Sequence, residues 1–124
     1  MNVVDSSGWL EYFAGGPNAD YFSKPIQDLE QLVVPTLSMF EVFKRIAQQR
    51  GEGAALQAVA AMQQGTTVEL TVSLSIDSAR LSLELKIPMA DSVILATAQA
   101  HGATLWTQDS DFDGLKGVKY VKAK

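Results

Sequence analysis

Five carboxylates carry the chemistry this chain can offer: Asp5, Glu41, Asp91, Asp109 and Asp111. Asp91 is the most telling. It lies in the first turn of Pro88-Met89-Ala90-Asp91-Ser92-Val93-Ile94-Leu95-Ala96-Thr97-Ala98, a segment that reads as a helix entered through a proline. The segment is apolar on nearly every side, the pattern of a helix packed inside a domain. A carboxylate there needs a partner, a set of hydrogen bonds or a metal, because desolvating a charge is costly. The segment itself holds no basic residue. Other carboxylates elsewhere in the chain suggest what the compensation is. A group of four or five such acids cannot all stay ionised without a cation. The chain has no cysteine and a single histidine, His101, which removes thiolate zinc sites and thiol nucleophiles and weakens any Ser-His-Asp triad. Oxygen-only donors favour Mg²⁺ or Mn²⁺. Such a site holds phosphate and activates water for phosphodiester hydrolysis.

The elements that must position these acids alternate along the chain. Strands are expected at Met1 to Val4, Leu32 to Val34, Val68 to Leu70, Ala103 to Trp106 and Val118 to Val121. Helices are expected at Trp9 to Phe13, Ala19 to Leu29 (interrupted by Pro25), Thr36 to Arg50, within residues 51–65, at Ser73 to Leu85 and at Pro88 to Ala100. The Thr36 helix carries Met39, Phe40, Phe43, Ile46 and Ala47 as its apolar stripe, and the Ser73 helix turns Leu74, Ala79, Leu81 and Leu85 inward. Strands alternating with helices imply an α/β fold, a parallel sheet covered on both faces, in one domain over residues 1–124. In such sheets ligands bind beyond the C-terminal strand ends. Asp5 follows the first strand, Asp109 and Asp111 follow the Leu105-Trp106 strand, and Glu41 lies early in the helix after Val33-Val34. These four can meet at one edge, and Asp91 joins them if its helix starts there.

Each acid also has a purely structural role open to it. Asp5 can cap a turn or helix. Ser38-Met39-Phe40-Glu41 matches a capping box, with Glu41 reaching back to a backbone N–H. Asp91 suits the positive end of its helix dipole. Asp109, Asp111 and Asp113 can be loop acids, Asp113 the more so with Gly114 after it. Ser6 and Ser7 lack an evident histidine partner, so a serine nucleophile is not expected; Ser6 or Thr107 can instead assist the acids by hydrogen bonding. Lys44 and Arg45 offer either a solvated helix face or phosphate contacts. Trp9, Tyr12 and Phe13 read as core or interface, and His101 as a helix C-terminal residue. Neither a Walker A loop nor a dinucleotide fingerprint is present.

Composition bounds the partners. The 124 residues are 47% hydrophobic and 19% charged, the balance of a globular chain. No apolar run approaches the roughly 20 residues that span a bilayer, and no basic stretch precedes an apolar one at Met1 to Asp5, so a cytoplasmic location is expected. The net charge of −4 is unusual for a nucleic-acid binder. Setting the five candidate acids aside leaves nine acids against ten Lys and Arg. The negative balance therefore belongs to the site, and Lys44, Arg45, Arg50 and the Lys116 to Lys124 edge remain for phosphate.

Four motifs in order give a resemblance over essentially the whole chain: Val4-Asp5-Ser6-Ser7, Ser38-x-x-Glu41, Pro88-x-x-Asp91-x-x-Ile94-x-Ala96 and Leu105-x-Thr107-x-Asp109-x-Asp111-Phe112. The chain resembles the PIN-domain ribonucleases, in particular the VapC-type toxins of toxin–antitoxin modules. The resemblance implies a three-layer α/β/α fold with four to five parallel strands, and a Mg²⁺- or Mn²⁺-dependent endoribonuclease. It implies Asp5, Glu41, Asp91 and Asp109 as the acidic quartet, with Asp5, Asp91 and Asp109 on the metal and Glu41 as ligand or base. Asp111 sits where some members carry a further acid. It also implies an RNA substrate, a homodimer, and a cognate antitoxin whose C-terminal segment covers the acids. Two rival readings are a phosphatase or receiver-like domain, and a silent domain whose acidic groove binds a basic peptide.

Overall fold

A computed structural model describes all 124 residues. Its elements are β1 (Asn2–Val4), α1 (Ser6–Ala14), α2 (Ala19–Gln27), β2 (Leu32–Pro35), α3 (Thr36–Arg50), α4 (Glu52–Met62), β3 (Thr66–Val68), α5 (Val72–Leu85), α6 (Met89–Ala100), β4 (Thr104–Thr107) and β5 (Val118–Tyr120). Short 3-10 turns at Leu29–Gln31 and Ser110–Phe112 precede β2 and follow β4. The sheet has five strands in the order β3-β2-β1-β4-β5, every neighbouring pair parallel. The receiver-like alternative fails here, because that doubly wound order is 2-1-3-4-5.

Successive strand residues feed opposite layers, as a period of two requires. Val4, Leu32 and Val34 pack with Trp9, Phe22, Val42, Ile46, Ala55 and Met62 on one face. Val3, Val33 and Leu105 pack with Ile87, Ile94, Leu95, Ala98 and Phe112 on the other. The sheet is thus buried on both sides, which is why its central strands read as unbroken apolar runs. No helix is long and apolar enough to cross a membrane.

Several expected details move. α1 begins at Ser6 rather than Trp9, because Asp5 caps it through the Gly8 N–H. α2 stops at Gln27 and carries Pro25 buried in its last turn. β3 runs from Thr66 to Val68, two residues ahead of the expected Val68 to Leu70. The β-branched run Thr66-Thr67-Val68 pairs along β2 at the sheet edge, and Leu70 lies beyond it, exposed. On α3 the buried stripe is Ser38, Val42 and Ile46, four residues apart, and Phe40 points to solvent at 62% exposure. On α5 Leu74 and Ser78 are buried, while Ala79, one step around the helix, is exposed.

Candidate metal centre

β1 and β4 are neighbours, and the chain leaves them in opposite directions across the sheet: from β1 toward β2, from β4 toward β5. That is the switch point where an open parallel sheet forms a crevice at its C-terminal edge. Asp5 is the first residue past β1, and its N–H continues the ladder to the Trp106 carbonyl at 3.1 Å. Asp109 lies two residues past β4, its N–H donating to the Thr107 hydroxyl at 2.9 Å. α6 starts at Met89 behind Pro88 and brings Asp91 in its first turn.

Asp91, Asp109 and Asp111 each offer a carboxylate oxygen, and these atoms lie within 4.8 Å of one another. Asp109 caps the 3-10 turn after β4 by accepting the Asp111 N–H at 2.9 Å, which folds Asp111 back beside it. Burial pushes the half-buried Asp91 carboxyl from 3.8 up to about 7, helped by the charges of Asp109, Asp111 and Asp5 and by the hydrogen bond that its protonated form donates to the Asp111 carboxylate. Asp5 is 3% exposed. Burial pushes its carboxyl from 3.8 up to about 6, against the pull of hydrogen bonds from Ser7, Thr107 and the Gly8 N–H, and the Asp109 charge adds to the rise.

Glu41 lies outside the tight trio. Its Oε1 accepts the Ser6 hydroxyl at 2.6 Å. The capping box does not form: α3 starts at Thr36, so Ser38 is already inside the helix, and no side chain caps it. Ser38 Oγ is buried without a hydrogen-bond partner. Asp5, by contrast, does cap α1, and faces the other acids at the same time. The hydroxyls hold the acids in place: Ser6 donates to Glu41, Ser7 donates to Asp5 Oδ1 at 2.8 Å, and Thr107 bonds Asp5 while accepting the Asp109 N–H. Asn18 and Gln108 carry no sequence signal for their part here, and Ser7, unsuited as a nucleophile, takes part by holding Asp5. Asn18 links loops 90 residues apart by donating to Gln108, and nothing in the order of residues announces that bond.

The donor set suits a hard cation. All the clustered atoms are carboxylate oxygens. His101 lies at the far end of α6, its Nδ1 against the Thr97 carbonyl. The one ion pair in the molecule joins Arg80 and Asp77 on exposed α5, so no basic side chain neutralises the trio. Close carboxylates without a basic partner either hold protons or hold a cation.

Comparison with known proteins agrees with this architecture. The PIN domain family model matches residues 3–118. Among solved structures, a toxin–antitoxin complex from Klebsiella pneumoniae contains a chain with 23% identity and a TM-score of 0.82, the match covering 96% of each chain. VapC20 of Mycobacterium tuberculosis, a sarcin–ricin loop cleaving toxin, has 17% identity and a TM-score of 0.75 over 90% of this chain and 92% of that one. DNA-bound VapBC from Salmonella typhimurium has 11% identity and a TM-score of 0.74 over 98% of both. No curated protein matches the chain. At these identities the structural likeness is one of fold. The family model covers nearly the whole sequence, and the chain belongs to the PIN domain family.

Proposed function

We propose that this protein is a Mg²⁺- or Mn²⁺-dependent endoribonuclease, the toxin of a toxin–antitoxin module. The observation that carries the reading is the trio Asp91, Asp109 and Asp111, with oxygens within 4.8 Å and no basic partner, at the switch point of the sheet. Asp91, Asp109 and Asp111 would hold the cation, with Asp5 beside them; Asp111 enters on equal terms with Asp109. A divalent ion held there would supply Lewis acidity at the scissile phosphate and lower the pKa of the attacking water, so that it gives up a proton near neutral pH.

The chain's own residues do the rest. Ser7 and the Gly8 N–H hold Asp5 in one orientation. Ser6 fixes Glu41 so that its second oxygen is free to accept a proton from the attacking water. The protein works on RNA in the cytoplasm as a homodimer, and a cognate antitoxin covers the acids. Support for the partner comes from the folds it shares with chains of toxin–antitoxin complexes. An arginine from that partner would complement the carboxylates.

Sequencing of RNA ends after controlled expression tests the reading, with Asp5→Ala as the control. New ends should accumulate at defined positions with the wild-type protein and not with the variant. Equal end profiles for the two proteins would overturn it.

A further inference from the structure

A second cavity, with two arginines in its lining, shares Ser7 with the acids. A cavity of about 340 Å³ opens between α1 and α3, lined on one side by Arg45, Gln49 and Arg50 and on the other by Ser7, Glu11 and Gln108. Its volume falls at the low end of the range for small-molecule sites. Arg45 and Gln49 stand one turn apart on α3, so both head the same helix row. Neither arginine has a carboxylate partner, since the molecule's one ion pair is Arg80–Asp77. The acid in the wall, Glu11, is oriented by the Asn18 N–H, which donates to its Oε2 at 2.8 Å, and it pairs with neither arginine. Apolar side chains, among them Leu10 and Ile46, complete the lining, and the two free guanidiniums at its rim suit a phosphate, which they bind through paired N–H donors.

Gln108 is set as a third donor. The buried Asn18 amide nitrogen donates to the Lys122 carbonyl at 3.1 Å, and a carbonyl can only accept. That fixes which end of the Asn18 amide faces inward. The same nitrogen donates to Gln108 Oε1 at 3.0 Å, so Gln108 keeps its NH₂ group for another partner. Ser7 then joins this wall to the acids: its hydroxyl donates to Asp5 Oδ1 and receives the Gln108 N–H at 3.4 Å.

We infer that this cavity holds a backbone phosphate of the RNA strand next to the one cleaved, with Arg45 and Arg50 as its charged partners and Gln108 as a neutral donor. The inference rests on the nuclease reading for what the strand is. It adds where the strand runs: from the acids, past Ser7 and Gln108, toward the middle of α3. An acidic segment of a protein partner is the competing occupant. The acids beside the cavity favour the strand, since a strand would present one phosphate to the cation site and the next to the arginines.

The test is binding of a short fluorescein-labelled single-stranded RNA by the full chain in EDTA, where hydrolysis does not intervene. Both arginines are exposed, so Arg45→Ala with Arg50→Ala leaves the core intact. The double variant should bind about tenfold more weakly, and its log affinity should fall less steeply with log salt, by about 0.7 for each phosphate the protein no longer neutralises. The double lysine variant should keep the salt slope. With Mg²⁺ present, the alanine variant should raise KM and leave kcat near wild type, the split expected of strand holding. RNA binding and KM unchanged in the alanine variant, beside a wild type that does cleave, would overturn the cavity proposal alone. So would loss of binding to a synthetic glutamate-rich peptide with RNA binding intact. A wild type that binds no RNA would overturn both this proposal and the nuclease reading.

Discussion

The Ser6 hydroxyl donates to Glu41 Oε1 at 2.6 Å, joining the first turn of α1 to the second turn of α3 across 35 residues of sequence. The bond ties together the helices that follow two neighbouring strands. It also excludes the capping role for Glu41, because a carboxylate held by Ser6 is not folded back on its own helix. Ser6→Ala should leave the fold intact and lower RNA cleavage by about 10- to 100-fold, the usual cost of removing a residue that orients a site group. Steady-state cleavage rates, with circular dichroism as the fold control, check this.

Ser38 gives the complementary prediction. Its buried hydroxyl has no partner, so Ser38→Ala should leave stability unchanged or raise it. A working helix cap would instead lose about 1 kcal/mol. Urea unfolding midpoints at constant m distinguish the two.

Gly8 lets α1 pack directly on its neighbours. A β-carbon there would stand 2.6 Å from Val4 Cγ1 and 2.7 Å from the Phe22 ring, both in the core. Gly8→Ala should destabilise the protein by about 1–3 kcal/mol, as overpacking does. The same urea titration reads it.

The acids make metal-free stability fall as pH rises. Asp5 and Asp91 have folded-state values near 6 and 7, above the 3.8 of a free side chain. Between those values the folded protein binds more protons than the unfolded chain, so unfolding becomes easier with increasing pH. Asp5, being buried, accounts for up to about 3 kcal/mol of the loss, and the more exposed Asp91 adds less because water screens it. In EDTA, unfolding midpoints should drop from about pH 4.5 to about pH 7.5, and added Mg²⁺ should restore them at the higher pH. Asp111→Asn should lower the Asp91 value, because it removes a neighbouring charge. Carboxylate NMR titration measures that shift.

Local chemistry made much of this legible beforehand. Apolar triplets such as Leu32-Val33-Val34 and the Pro88 entry to α6 mark buried strands and a helix start without help from the rest of the chain. The edge strand β3 was harder to place, since Thr66 and Thr67 are exposed and carry no burial pattern. Phe40 misled because residue type outweighed position: the stripe through Ser38, Val42 and Ile46 is set by the sheet beneath, and Phe40 falls outside it. Asp5, Asp109 and Asp111 could be assigned to C-terminal strand ends from order alone, whereas Asp91 depended on where α6 begins. Which hydroxyl serves which acid could not, because Ser6–Glu41 and Asn18–Gln108 are long-range bonds fixed only when the sheet assembles.

The central claim is that the acids at the β1–β4 edge cleave RNA with a divalent ion. Its most direct test is cleavage of a defined RNA by purified wild type and Asp91→Asn, each with Mg²⁺ and with EDTA. Wild type should cleave only with the metal, and Asp91→Asn should lose activity by at least about a thousandfold while keeping its fold by circular dichroism and, without metal at neutral pH, an unfolding midpoint no lower than wild type. Cleavage by Asp91→Asn at the wild-type rate, or undiminished wild-type cleavage in EDTA, would contradict the account.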